Sequence, residues 1–136
     1  MRPSSRFLPA LAAALAGITG LLPAGPAMAQ EDPARFPSRP VTLIVPYAAG
    51  GFAGIETQVY ATKLGTLLGQ QVLVDYKAGA TGAIGAAYVA KSRPDGYTML
   101  TVTGGFTIFP AFYKDLPFDI IKDFTPVSWI SSRVSV

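Results

Sequence analysis

The chain has 136 residues, half of them hydrophobic, with a formal net charge of +3 and neither cysteine nor histidine. This length is enough for one small domain. The missing residue types exclude a Ser-His-Asp triad, a cysteine nucleophile, a thiolate or imidazole zinc site and a disulfide framework. Carboxylate, amine and hydroxyl side chains remain available for chemistry, and we expect a globular chain with many turns. Our prediction for the whole sequence is a protein that is not an enzyme, with no catalytic residue, no metal site and no cofactor.

Residues 1–29 have the three parts of a secretory signal peptide. Two arginines and no acid begin the chain, residues 7–22 form an apolar run, and Ala27-Met28-Ala29 supplies the small residues that signal peptidase requires. The run is shorter than the roughly 20 apolar residues of a membrane-spanning helix, and proline and glycine interrupt it. We predict cleavage after Ala29 and export to the periplasm, with residues 30–136 as the folded part.

The charge of the exported part does not favour nucleic acid as a partner. Removal of residues 1–29 from 136 leaves 107 residues, in which nine basic and eight acidic residues give a net charge of +1. The five lysines are scattered along the chain rather than clustered. A nucleic-acid-binding surface needs a concentrated basic patch, so we expect no such partner.

Strand-like and helix-like segments alternate along the exported part. The apolar run at 41–45 predicts a buried strand, and the apolar spacing of 55–68, followed by Gly69, predicts a helix with a glycine cap. Further elements are predicted in chain order: a strand at 71–75, a helix at 83–91, a strand at 97–103, a short element at 106–113 and a strand at 126–130. This alternation predicts an α/β fold in which βαβ units with right-handed crossovers build a parallel sheet.

Glycine-bearing loops follow the first three strands, at 46–54, at 76–82 and at Gly104-Gly105. Ligands of open parallel sheets bind at the carboxyl ends of the strands, where helix N-termini present amide N–H groups and a partial positive charge. Carboxylates or phosphates are therefore the expected ligands. The same glycines are also explained as tight turns between strand and helix, and the residues alone leave both interpretations open.

Individual side chains in these loops are equally open to two interpretations. Thr81 could cap the following helix or contact a ligand, and Lys77 could attract an anion or point into water. Asp75 and Glu56 are expected to be solvated or capping charges rather than an acid-base pair. The glycines of 79–85 have neither the Rossmann nor the P-loop spacing, which argues against a nucleotide site.

Six segments, taken together and in order, resemble the extracytoplasmic receptors of tripartite tricarboxylate transporters, also called the Bug family. The segments are residues 39–51, 68–75, 79–85, 94–100, 110–113 and 123–128. The resemblance implies a periplasmic-binding-protein fold of Venus-flytrap shape, whose two α/β domains close over a small carboxylated metabolite. It also implies delivery of that metabolite to the membrane components of a tripartite tricarboxylate transporter.

The resemblance further implies which residues hold the ligand. In the family, backbone amides and ordered water of the loops after the first strands hold the carboxylate. The corresponding residues of this chain are Tyr47, Ala48, Gly50 and Gly51 in the first loop, Gly79 and Gly82 in the second, and Thr103 and Gly104 in the third.

The chain departs from the family pattern in three places. Gly54 stands where the first loop usually has an aspartate, and Tyr76-Lys77-Ala78-Gly79 replaces Asn-Arg-Pro-Gly in the second loop. Lysine keeps the charge of arginine but loses its planar fork. The sequence also ends at Val136, before the second domain that the resemblance implies, so we expect residues 30–136 to be the N-terminal part of domain 1.

Two alternatives to a carboxylate receptor stay open. One is a truncated remnant without transport function. The other, less favoured, is an exported α/β hydrolase, but the sequence has no histidine to serve as a base and no G-x-S-x-G nucleophile elbow.

Overall fold

A computed structural model describes residues 32–132 of the chain. Within that range, strands and helices alternate as β1 (Val41–Val45), α1 (Phe52–Leu68), β2 (Val72–Tyr76), α2 (Ala83–Ala90), β3 (Thr98–Leu100) and α3 (Phe109–Phe112). Short 3-10 segments lie at Pro33–Arg35, Ala80–Gly82 and Gly104–Ile108. None of the helices in this range is long and apolar enough to cross a membrane. The predicted signal peptide, with its cleavage after Ala29, lies outside the described residues.

The three strands form one parallel sheet in the order β2-β1-β3. Leu43 in the central strand β1 is paired with Val74 of β2 and with Met99 of β3. The β1 side chains Val41 and Val45 are fully buried, because β1 is covered by neighbours on both edges and by helices. The predicted α/β fold with a parallel sheet is confirmed, and all three strands end at the same edge of the sheet.

Helix α1 packs on the sheet through small residues. It begins at Phe52, three residues earlier than predicted, and Gly69 ends it in the left-handed conformation, with φ of 64°. The buried positions are Gly54, Thr57 and Ala61. By contrast, the apolar side chain of Val59, which contributes to the helical pattern in the sequence, is 70% exposed. Because its buried residues are small, the helix can approach the sheet closely.

An aromatic cluster covers the face of the sheet on which α2 lies. Ala86 of α2 packs with Phe109 and Phe118, which are 4% and 8% exposed. The ring of Phe106 lies 5.3 Å from that of Phe109 and 5.4 Å from that of Phe124, measured between centroids. The chain after β3 is therefore held against α2 largely by the packing of aromatic rings.

The predicted strand at 126–130 is wrong. These residues form no regular element, and the side chains of Val127 and Trp129 are 77% and 83% exposed. The Trp129 Nε1–H donates to the carbonyl oxygen of nearby Ser131 at 2.7 Å. An extended run becomes a strand only when a neighbour accepts its backbone hydrogen bonds, and within residues 32–132 no strand lies beside it.

Candidate functional site

The loops that follow the three strands meet at the carboxyl-terminal edge of the sheet. We call residues 46–51 the first loop, 77–82 the second loop and 101–105 the third loop. The Tyr47 hydroxyl lies 3.0 Å from Thr103 Oγ1, and the Thr103 backbone N–H donates to the same hydroxyl at 3.4 Å. Tyr47 therefore connects the first loop directly to the third.

The first and second loops are in contact through Pro46. A Cβ atom built on Gly82 would lie 3.4 Å from Pro46 Cβ, and one built on Gly85 would lie only 2.7 Å from it. The second distance is shorter than carbon atoms tolerate without movement, so α2 can lie this close to β1 only because position 85 has no side chain. The three loops thus form one continuous surface.

The first loop presents mainly backbone to solvent. Ala48, Gly50 and Gly51 are all exposed. The Gly51 N–H donates weakly to the Ala48 carbonyl at 3.4 Å, and Gly50 has φ of 82°, which favours glycine. Gly51 is also the N-cap of α1, and its carbonyl accepts the N–H of Ile55 at 3.1 Å. A ligand can therefore approach these peptide groups without meeting bulky side chains.

The second loop contains four successive residues with positive φ. The values are 136° for Gly79, 46° for Ala80, 57° for Thr81 and 110° for Gly82. The left-handed conformation costs a non-glycine residue roughly 1–2 kcal/mol, and strain of this kind clusters at ligand-binding and other functional segments. Thr81 does not cap α2, whose N-cap is the buried Gly82; its Oγ1 instead accepts a hydrogen bond from the Tyr113 hydroxyl at 2.8 Å.

The third loop leads from β3 into the 3-10 segment. The Thr103 carbonyl accepts the N–H of Phe106 at 3.0 Å, and Thr107 Oγ1 donates to the Gly104 carbonyl at 2.8 Å. Gly104 is exposed, and a Cβ built there would have no atom within 4 Å. The space in front of Gly104 is therefore open.

The positive character of this edge comes from backbone rather than from lysine. Lys77 Nζ lies 3.0 Å from Asp75 Oδ2 and 4.3 Å from the centre of the Tyr88 ring, so its charge is paired along the flank of α2. The N-caps of α1 and α2 are glycines, and both helix N-termini lie at this edge with their partial positive charge. Among the described residues, no group of His, Cys, Asp or Glu side chains could hold a metal ion.

A series of neighbouring hydroxyl groups, those of Thr57, Tyr60 and Thr101, lies behind the loops and was not predicted from the sequence. Thr57 is fully buried; its Oγ1 donates to the Ala53 carbonyl at 2.6 Å and lies 2.9 Å from the Tyr60 hydroxyl. The Tyr60 hydroxyl donates to Thr101 Oγ1 at 3.0 Å. These three hydroxyl groups connect the start of α1 to the third loop. The only hint in the sequence is the polar Thr57 among the apolar positions of the helix.

All eight residues predicted to bind the ligand lie in these three loops. The structure brings Tyr47 and Thr103 into direct contact and places Gly82 against the first loop through Pro46. Ala48, Gly50, Gly51, Gly79 and Gly104 provide the surrounding backbone. Their part in holding a ligand stays a prediction.

Comparison with known proteins gives the family. A model described as the tripartite tricarboxylate transporter family receptor matches residues 57–136. A UPF0065 protein of Agrobacterium vitis, from the TAR-I ttuE-ttuC' intergenic region, is 44% identical over 105 residues, which are 77% of this chain and 30% of that protein. Protein BugT of Bordetella pertussis is 37% identical over 101 residues, 70% of this chain and 30% of BugT. The chain thus spans about 30% of the length of these curated relatives.

Solved structures agree with this assignment. The periplasmic binding protein BugD superposes with a TM-score of 0.60 at 39% identity, over 62% of this chain and 28% of BugD. R. palustris Rpa4515 with adipate gives 0.59 at 35%, over 68% and 31% of the two chains. MatC from Rhodopseudomonas palustris with bound malate gives 0.58 at 34%, over 68% and 32%. The chain therefore belongs to the tripartite tricarboxylate transporter receptor family and has the α/β fold of its periplasmic binding proteins.

Proposed function

We propose that the chain supplies the first-domain binding loops of a periplasmic receptor that captures a small carboxylate and passes it, without chemistry, to the membrane components of a tripartite tricarboxylate transporter. The observation that carries the proposal is the direct link between Tyr47 and Thr103, at the carboxyl-terminal edge of three parallel strands. This link brings the two hydroxyl groups and the exposed backbone of the first and third loops to the edge of the sheet at which the N-termini of α1 and α2 lie.

Neutral donors at this edge suit a carboxylate. Amide N–H groups around Gly50-Gly51 and Gly104 can donate to carboxylate oxygens, and so can one hydroxyl of the Tyr47–Thr103 pair, since the proton of the other lies between the two oxygens. Such hydrogen bonds are about twice as strong as those between neutral groups, and the helix N-termini add a favourable field. Lys77 is paired with Asp75, so the proposed donors are amides and a hydroxyl rather than this lysine.

The solved relatives support this ligand class and a role without catalysis. Rpa4515 was solved with adipate and MatC with malate, and both ligands are dicarboxylates. BugD is named as a periplasmic binding protein. In this proposal the chain is exported to the periplasm by the signal peptide that the sequence pattern predicts at residues 1–29, and its three loops form one side of a two-domain binding site.

Calorimetric titration with malate, adipate and uncharged adipamide tests the proposal. We expect binding of at least one dicarboxylate and none of adipamide. The variant Gly104→Ala should weaken that binding by about tenfold, because its methyl group would occupy the open space in front of the loop. A misplaced group of this size in a binding site costs on the order of 1–3 kcal/mol of binding free energy. Its melting temperature should match that of the unaltered chain, because no protein atom lies within 4 Å.

The matched control is Thr66→Ala near the C-terminal end of α1, which lies at the opposite end of the helix from the three loops. This variant should bind like the unaltered chain. Unchanged affinity in Gly104→Ala would show that the third loop is not part of the binding site. Failure of both malate and adipate to bind would contradict the proposal that these loops hold such a carboxylate, and would favour the remnant without transport function.

A further inference from the structure

The hydroxyl of Tyr113 reaches the strained second loop from a distant part of the chain. It donates to Thr81 Oγ1 at 2.8 Å, across 32 residues of sequence. Tyr113 directly follows α3, and its backbone N–H donates to the Phe109 carbonyl at 2.9 Å. The backbone of Tyr113 is therefore hydrogen-bonded to the start of α3.

Phe109 supports the same loop one residue further along. Its side chain is 4% exposed, and its Cζ lies 3.5 Å from the position that a Cβ on Gly82 would occupy. The rings of Phe109 and Tyr113 pack edge to face with centroids 5.6 Å apart. The α3 segment thus contacts two neighbouring residues of the second loop, one by a hydrogen bond and one by packing.

Residues 79–82 need such support. Ala80 and Thr81 both hold positive φ, at 46° and 57°, and a β-branched residue is seldom found there. Without an outside restraint these two residues would relax toward negative φ. The directions of the peptide groups between Gly79 and Gly82 would then change.

We propose that Tyr113 is a positioning residue of the binding site. Its hydroxyl holds Thr81 in the left-handed conformation and thereby sets the direction in which the second loop presents its backbone. Tyr113 acts through Thr81 and needs no contact with the ligand. The effect on affinity rests on the proposed carboxylate binding, whereas the effect on the loop conformation does not.

Tyr113→Phe tests the proposal by removing one oxygen and keeping the ring. The readout of loop conformation is amide hydrogen exchange of Gly82, whose N–H donates to the Gly79 carbonyl at 2.9 Å within the strained segment. We expect exchange at Gly82 to become about 3- to 10-fold faster, which is the range expected for the loss of one hydrogen bond. Exchange of amides in β1 should stay unchanged.

Substitutions at the partner separate positioning from packing. Thr81→Val removes the acceptor and keeps the shape, so it should accelerate Gly82 exchange like Tyr113→Phe, and the two changes together should add nothing further. Thr81→Ser keeps the acceptor and should leave exchange near the unaltered rate. The control is Tyr97→Phe, which removes a hydroxyl that accepts the Ser38 N–H at 2.8 Å just before the start of β3, at the opposite edge of the sheet, and it should have no effect on the loop.

Affinity for malate and adipate provides the second readout. If the unaltered chain binds either one, Tyr113→Phe and Thr81→Val should weaken binding by about 3- to 10-fold, and Thr81→Ser should not. Unchanged Gly82 exchange in Tyr113→Phe would overturn the inference, as would faster exchange with unchanged affinity. If the unaltered chain binds neither acid, the proposed function fails instead, and the exchange rates still decide whether Tyr113 holds the loop.

Discussion

The ring of Tyr76 fills the space that a side chain at position 54 would need. A Cβ built on Gly54 would lie 2.8 Å from Tyr76 Cε1 and 3.1 Å from its hydroxyl oxygen. Gln58 Nε2 donates to that hydroxyl at 3.3 Å, which holds the ring along the first turns of α1. Gly54 and Tyr76 are also the positions at which the sequence departs from the family's usual aspartate and asparagine. The Tyr76 ring can therefore lie against α1 because position 54 has no side chain.

This contact reverses the usual effect of replacing glycine by alanine in a helix. Alanine is normally about 1 kcal/mol more favourable there. We expect Gly54→Ala to lower the free energy of unfolding by about 1–3 kcal/mol, because the new methyl group would overlap the Tyr76 ring. Urea unfolding followed by circular dichroism measures this difference.

The same substitution in a Tyr76→Ala background provides the control. Without the ring, Gly54→Ala should raise the free energy of unfolding by about 0.5–1 kcal/mol, as helix propensity predicts. An equal destabilisation in both backgrounds would show that the overlap with Tyr76 is not the cause. A stabilisation in both would show that the ring moves aside at no cost.

Thr57→Val should destabilise the chain by about 0.5–1.5 kcal/mol, since it removes the hydrogen bond of a fully buried hydroxyl to the Ala53 carbonyl and its contact with the Tyr60 hydroxyl, which keeps its bond to Thr101. Thr62→Val is the matched control. Thr62 makes the same kind of bond to the carbonyl four residues earlier, at 3.0 Å, but it is exposed and water can replace it. Chemical denaturation of both variants should show a clear loss for position 57 and almost none for position 62. Equal losses would mean that the buried hydroxyl groups contribute nothing beyond the helix itself.

The turn after Phe118 should lose stability in acid. The backbone N–H groups of Ile121 and Lys122 donate to Asp119 Oδ1, which lowers the pKa of that carboxyl below its usual value of 3.8. The folded state therefore favours the carboxylate. The stabilisation is fully present above about pH 4, the ordinary range of an aspartate, and is lost as the pH falls through the lowered pKa.

Comparison with Asp119→Asn isolates this effect, because asparagine does not titrate. The difference in melting temperature between the unaltered chain and the variant should be largest near pH 6 and should shrink as the pH falls below 3.8. A difference that stays constant or grows on acidification would show that the Asp119 charge does not stabilise the turn.

The sequence was sufficient to predict the parallel sheet but not every packing surface. The run at 41–45 consists of β-branched and aliphatic residues, so it could be identified as a buried strand, and β1 has those bounds. Residues 126–130 are also mostly apolar, yet such a run does not reveal whether a neighbouring strand exists. In α1 the buried face consists of small residues such as Gly54 and Ala61, which hydrophobic periodicity does not detect.

The position of the candidate site could be predicted from the sequence, but its supports could not. Glycines after successive strands indicate the carboxyl-terminal edge of a parallel sheet, and that is where the three loops meet. The hydrogen bond between Tyr113 and Thr81 links residues 32 positions apart and leaves no local pattern. The positive φ of Ala80 could not be predicted from the sequence either, because alanine ordinarily disfavours this conformation and only the surrounding packing imposes it.

The bond between Tyr47 and Thr103 should be measurable as a coupling free energy. Tyr47→Phe and Thr103→Val each remove one side of the contact, in which the oxygens lie 3.0 Å apart. In the absence of ligand we expect each change to cost about 0.5 kcal/mol, at the low end for a hydrogen bond because this one is exposed, and the double variant to cost less than the sum because the same bond is lost in both. Thermal or urea unfolding of the four chains gives the coupling directly. Strict additivity would show that the first and third loops are independent, and the proposed site would then lack the connection on which it depends.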